Sequence, residues 1–256
     1  MINNNELKEF LDEKYNQFNC ETFIQYDPIQ IPKQFEDQRD IEISGFLAAT
    51  IAWGQRPAII ASMNRLLHRM DNSPYEFIME ADNEELENFS DFKHRTFNGE
   101  DCIFFLKSLG NIYQNHEGLG SIFQNSYMRN GNLVETLHEF RKIFFEIPHP
   151  KRTHKHVADV LKKSSAKRLN MYMRWMVRKD PKGIDFGLWN KISMSDLFIP
   201  LDTHSGNVAR KLGLLKRNQN DWKAVEELTR KLREFDPEDP IKYDFALFGL
   251  GAFEKF

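Results

Sequence analysis

Asp40-Ile41-Glu42-Ile43-Ser44-Gly45-Phe46-Leu47-Ala48-Ala49-Thr50-Ile51-Ala52-Trp53, running on into Gly54-Gln55-Arg56-Pro57, decides the fold class. Wound at 3.6 residues per turn, its apolar side chains cover most of the helix surface. A helix that is apolar all round is buried among others. Gly54 reads as the C-terminal cap, and Pro57 fits the first turn of a second helix. That second helix turns Ile59, Met63, Leu66, Leu67 and Met70 inward, leaving Gln55 and Arg56 in the tight turn between the two.

Outward from this pair the same period recurs. Glu6 to Phe18 places Leu7, Phe10, Leu11 and Phe18 near one stripe, and Pro28 and Pro32 punctuate the connector that follows. Further helices are expected over about Asp101–Tyr113, Leu133–Phe145, Ala166–Arg178, Asp221–Phe235 and Pro240–Phe253, with one more opening at Asp202 and closing at Gly213. Ser164 and Ser165 read as the cap of the Ala166–Arg178 helix. The acidic stretch from Glu76 to Glu87 reads as solvated. No internal repeat, low-complexity tract or run of strands is present, so the fold class is all-α.

Composition narrows the function. With 41% hydrophobic and 29% charged residues, 256 residues build a core without a disulfide or structural metal. Cys20 and Cys102 are the only cysteines and form no C-x-x-C motif, which excludes a four-cysteine iron–sulfur cluster. His154, His156 and Asp159 form no metal site in this reading, because on a helix residues 154 and 156 point apart. The polar stretch from Met1 to Phe10 lacks a signal-peptide core, and no apolar run is long enough to cross a membrane, so a cytoplasmic protein is expected.

A formal net charge of -3 argues against a wholly basic nucleic-acid binder but not against a local patch. Lys151, Arg152, Lys155, Lys162, Lys163, Lys167, Arg168, Arg174, Arg178, Lys179 and Lys182 share their span with only Asp159 and Asp180. That asymmetry reads as a phosphate-facing surface, with a solvated cationic face as the plainer alternative. Asp202 is by type a helix N-cap, a role compatible with a chemical one. Lys167 by position alone is a first-turn surface lysine.

Ile199-Pro200-Leu201-Asp202-Thr203-His204 with Val208-Ala209-Arg210-Lys211-Leu212-Gly213 resembles the segment of endonuclease III-type DNA glycosylases in which the catalytic aspartate opens a helix. Tyr243-Asp244-Phe245-Ala246-Leu247-Phe248-Gly249 is similar to the helix that follows there. Ser165-Ala166-Lys167-Arg168 resembles the start of the helix after the hairpin, where lyase-active members carry their lysine. Met171 to Met176 with Arg174 looks closer to the archaeal 8-oxoguanine glycosylases. Phe46 to Arg56 resembles the superfamily's helix-to-loop segment that probes the base stack, with Gln55 as the wedge. The chain as a whole resembles an uncharacterised bacterial family of unknown function, on His94-Arg95-Thr96-Phe97, Lys167-Arg168-Leu169-Asn170, Arg174-Trp175-Met176-Val177-Arg178 and Pro200-Leu201-Asp202-Thr203-His204.

The glycosylase resemblance implies a helix-hairpin-helix architecture of two helical lobes with a cleft. One lobe spans 40–147, and the other spans 148–256 with the segment 1–39 packed beside it. It implies duplex, damaged DNA as partner, no organic or metal cofactor, and Lys167 and Asp202 as the catalytic pair facing each other at the cleft mouth. Gln55, Arg56, Lys162, Lys163, Ser164, Ser165, Arg168 and His204 would contact the nucleic acid. Trp53, Tyr172, Trp175, Trp189 and Phe198 could supply a stacking pocket, although most read as core packing and at most one or two would stack on a base. The superfamily's hairpin has Gly-x-Gly where this chain has Lys163-Ser164-Ser165, so cap amides and cationic side chains would have to grip the phosphate. The alternatives are a non-catalytic nucleic-acid-binding helical protein and a helical interaction scaffold.

Overall fold

Asparagine and aspartate caps, each followed by an apolar stripe, set most of the helix starts. In the computed structural model, which describes residues 3–256, the chain begins with α1 (Asn4–Phe18) and α2 (Glu21–Ile24). It continues through α3 (Gln38–Thr50), α4 (Arg56–His68), α5 (Pro74–Glu80), α6 (Asn83–Glu87), α7 (Gly99–Asn115), α8 (Leu119–Asn130) and α9 (Leu133–Phe144). It ends with α10 (Lys167–Val177), α11 (Thr203–Lys211), α12 (Trp222–Phe235) and α13 (Tyr243–Ala252). The protein is mostly helical. Among the described residues the one sheet is a two-residue antiparallel hairpin, β1 (Lys93–His94) with β2 (Phe97–Asn98). No helix of the described residues is long and apolar enough to cross a membrane.

The chain divides into two compact units. One is the N-terminal segment through Gln25 together with Asp159–Phe256, and the other is Tyr26–Ala158. These dividing points differ from 39/40 and 147/148 for physical reasons. The short turns Pro28–Gln30 and Pro32–Gln34 pack on α3. Residues 152–156 are tied to α7 by Thr153 Oγ1 (2.9 Å) and His156 Nε2 (3.0 Å), both on the fully buried carboxylate of Asp101.

In the Tyr26–Ala158 unit α3 is central, as its all-round apolarity requires. Phe46 lies 5.9 Å from Phe105, 5.5 Å from Phe140 and 5.3 Å from Phe144, ring centre to ring centre. Even Glu42 of α3 is buried. Its carboxylate accepts hydrogen bonds from Gln38 Nε2 (2.9 Å), Tyr113 Oη (2.8 Å) and the Gly120 amide (3.2 Å). The acids of the stretch Glu76 to Glu87 are exposed, as expected, and the stretch is also helical, with Ile78 on α5 and Leu86 on α6 as buried anchors. Helix α8 has no strong sequence signal, being rich in Ser, Gln, Asn and Gly. Burial of Leu119, Ile122 and Phe123 holds it against that weak propensity.

In the other unit α10 is buried from Leu169 to Val177, and the two arginines on it and after it are buried as well. Arg174 donates to Asp185 from Nε (3.2 Å) and to Asp244 from Nη1 (2.5 Å). Arg178 donates to Asp185 (3.0 Å), to Asp239 from Nε (3.0 Å) and to the Tyr15 hydroxyl (2.9 Å). Burial works against the Arg178 charge, but Asp185 and Asp239 beside it hold its pKa above the ordinary value. The start of α10 differs from the serine cap expected. The residue before the helix, Ala166, is left-handed (φ +47°) and offers no side-chain cap, while Ser164 is drawn into an antiparallel bridge with Asp221.

Because Arg178 gathers several carboxylates away from water, removing it strands them. Arg178→Ala should lower stability by about 3–5 kcal/mol, measured by urea unfolding of purified protein. An unchanged midpoint would show that the cluster adds nothing to the fold.

Candidate functional site

Two helix starts of one unit bring the candidate pair together. Asp202 precedes α11 in extended conformation and closes a capping box. Its Oδ1 accepts from the Ser205 amide (2.9 Å) and hydroxyl (3.2 Å), while its own amide donates to Ser205 Oγ (3.0 Å). Its other oxygen, Oδ2, stands 3.9 Å from Nζ of Lys167, the first residue of α10. Both side chains are partly exposed, 28% for Lys167 and 20% for Asp202, so the pair is open to a ligand yet shielded from full hydration. A cation in a first helical turn is poorly placed relative to the helix dipole, and the Asp202 carboxylate offsets this.

Neighbouring groups fix both backbones. Asn170, buried on α10, donates from Nδ2 to the Ser165 carbonyl (3.1 Å), holding the residues that lead into Lys167. Asn220 donates from Nδ2 to the Asp202 carbonyl (3.0 Å) and accepts from Arg210 Nη2 (2.5 Å). Behind the pair lies Asp244, in the first turn of α13. Its pKa is pushed up to about 6, chiefly by burial and further by the Asp202 charge, with Arg174 and Lys167 opposing. Sequence reasoning did not single out Asn170, Asn220 or Asp244 as functional. The signal for Asp244 was a lone acid opening the apolar run Phe245–Leu250.

The other expected site residues take varied positions. Lys162 and Lys163 are exposed, and Lys163 is left-handed (φ +66°). Ser164 and Ser165 are half-buried, and the Ser164 hydroxyl accepts from the Ala166 amide (3.3 Å). Arg168 is half-buried, and burial pulls its pKa down to about 10. His204 is exposed, its ring 6.2 Å from and edge-on to Phe248. Gln55 and Arg56 belong to the Tyr26–Ala158 unit, where Gln55 is exposed at the N-cap of α4 without a side-chain cap bond. Their turn is braced by His94, whose ring joins the Ser62 hydroxyl (3.0 Å) to the Trp53 carbonyl (3.2 Å).

The aromatic candidates are mostly core packing, as expected, and the cationic surface is corrected. Tyr172, Trp175 and Trp189 are fully buried core residues, with Tyr172 edge-on to Trp189 at 5.3 Å, so none presents a face to a base. Phe198 packs on Trp222 at 4.8 Å, and Trp53, in the other unit, packs against His94 and His156. The cationic span from Lys151 to Lys182 is not one phosphate-facing surface. Arg152 joins Asp101, and Arg174 and Arg178 are buried against Asp185, just past the span, and against Asp239 and Asp244, distant in sequence. The span also crosses the divide between the two units.

With this geometry in place, the comparisons identify the family. Residues 27–253 match the family described as Protein of unknown function (DUF2400), and the chain belongs to it. No curated protein and no solved structure matches the chain.

The Asp244 carboxyl titrates near 6 when folded and near 3.8 when unfolded. The folded state therefore binds the extra proton, and this group's stabilising contribution, full below about pH 3.8, is lost as pH rises through about 6. In urea unfolding from pH 4 to pH 7, Asp244→Asn should lose this decline relative to the parent. Parallel stability profiles for the two proteins would refute the assignment.

Proposed function

We propose that the protein is a helix-hairpin-helix-type DNA glycosylase with associated lyase activity, acting in the cytoplasm on a damaged or mismatched base in duplex DNA. The observation that carries this reading is the 3.9 Å approach of Lys167 Nζ to Asp202 Oδ2 at two partly exposed helix starts. The two carboxylate oxygens have different partners: Oδ1 serves the cap, and Oδ2 faces the amine. One residue therefore holds its helix and presents charge to a substrate at once. The left-handed backbone at Lys163 also supports the reading. Lys163 occupies the first position of the segment in which the superfamily's hairpin has glycine, the residue that adopts that conformation most readily.

The chemistry follows from the pair. Departure of the base leaves its electron pair on the base nitrogen, which takes up a proton, and positive charge develops on the sugar. The Asp202 carboxylate stabilises that charge. Lys167, its proton passed to the nitrogen of the departing base, uses its lone pair to form a bond to C1′. Opening of the sugar ring then gives a protonated Schiff base. Loss of a C2′ proton expels the 3′ phosphate and nicks the strand, and water releases the lysine. The base must first leave the stack, at a cost of a few kcal/mol.

Borohydride should trap a covalent complex between the parent protein and duplex carrying an abasic site, and Lys167→Ala should abolish it. Trapping that persists in that variant would move the nucleophile elsewhere. Asp202→Asn keeps a good cap but removes the charge. Its melting temperature should stay near the parent's, while single-turnover base release falls at least about a hundredfold, near 2.7 kcal/mol in barrier. Excision at the parent rate by the Asn variant would reduce Asp202 to a cap. A parent that binds duplex yet releases no base from a lesion panel would leave a non-catalytic binding protein.

A further inference from the structure

We infer that the segment from Lys216 to Lys223, the end of the α11–α12 loop with the first turn of α12, is a second phosphate-contacting element for a nucleic-acid strand lying across Lys162 and Lys163. The inference rests on the proposed reading that the protein binds DNA, and it names the surface. The loop is docked on the hairpin segment and on the candidate site. The Trp222 amide donates to the Lys163 carbonyl (3.0 Å), Ser164 and Asp221 form an antiparallel bridge, and Asn220 reaches the Asp202 carbonyl (3.0 Å). Buried Leu214 and Leu215 anchor its start, and buried Trp222 anchors its end.

Between these anchors the surface holds an open depression of about 630 Å³ lined by Lys216, Arg217, Asn218, Gln219, Lys223 and Glu227. Cations beside neutral amides are the side chains that meet phosphate and sugar in protein–DNA contacts. Arg217 is held by Asp221 through two short bonds (2.6 and 2.5 Å), which shapes the loop. The one acid of the lining, Glu227, accepts from the Lys216 amide (2.6 Å) and is thereby turned to the backbone. Lys216 and Lys223 are exposed and make no ion pair among the described residues. Arg174 and Arg178 of the same unit are buried against carboxylates. Lys162, Lys163, Lys216 and Lys223 are exposed cations on two segments bonded to each other. A shallow, open depression beside the Lys162–Lys163 loop fits a run of backbone phosphates better than one enclosed small anion.

The test is fluorescence anisotropy of the full chain on a labelled duplex with a reduced abasic site, over a series of KCl concentrations. Lys216→Ala combined with Lys223→Ala should weaken binding, and the slope of log K against log salt should become shallower by about 0.9 for each phosphate that is no longer neutralised. Lys216→Arg with Lys223→Arg keeps the charges and should retain the parental slope, which separates the effect of charge from damage to the loop. Parental affinity and slope in the alanine variant would overturn this inference and leave the proposed function standing. An equally weakened arginine variant would also overturn it, since phosphate binding depends on charge. A parent that binds no duplex at low salt would overturn both.

Discussion

Two guanidinium groups, one on α10 and one just after it, held by carboxylates from the loop that follows and from the last part of the chain, govern the unit that carries Lys167. Arg174 and Arg178 reach Asp185, Asp239 and Asp244, with Asp180 and Tyr15 beside Arg178. Burying such charges is expensive, and the net gain in stability over an apolar core is small. What the arrangement supplies is register. Five N–H donors in a planar fork accept few orientations, so α10 is fixed in rotation and along its axis. Lys167 lies seven residues before Arg174, two turns along the same face. The geometry that anchors the arginine therefore aims the lysine, and Asp244 links them by bonding to one and lying in the field of the other.

This dependence explains what the sequence could and could not reveal. The all-round apolarity of Asp40–Trp53 made α3 legible as a buried centre, and Asp202 was legible as a cap because capping is a contact between near neighbours. The destination of the arginines was not legible. Counting charges along 151–182 found few acids nearby, but the partners lie 50 to 70 residues away in several cases, as with Arg152 and Asp101 or Arg174 and Asp244. Local charge asymmetry is evidence for a basic surface only where long-range partners are absent. In this chain the buried arginines looked like surface cations for that reason. Helix α8 escaped for the complementary reason: its helicity comes from tertiary burial, which a local pattern does not encode.

The segment before Lys167 shows a constraint that residue type concealed. A reading by residue type makes Ser164 and Ser165 helix caps, yet the chain passes through the left-handed region at Lys163 and again at Ala166. Non-glycine residues there lose roughly 1–2 kcal/mol each, so other contacts must hold them. The Lys163 carbonyl accepts from Trp222, the Ser165 carbonyl accepts from Asn170, and Ser164 bridges to Asp221. This turn is over-determined from both sides. A backbone turn can therefore persist without the glycines that usually permit it, and a lysine at the turn adds charge that glycine lacks.

The same economy appears at Asp202. A cap needs one oxygen near the first-turn amides, and an electrostatic role needs negative charge directed at open space. The Ser205 amide and hydroxyl both take Oδ1, so the cap is complete without Oδ2. Asn220 meanwhile secures the carbonyl of the same residue, leaving the carboxylate with little freedom to swing away from Lys167. A carboxylate held this firmly undergoes little reorganisation as charge develops beside it, and preorganisation of that kind is the main source of electrostatic stabilisation in a transition state. The structural role of Asp202 is thus the condition for the chemical one proposed for it, and the Asn220–Arg210 clamp supports the candidate pair.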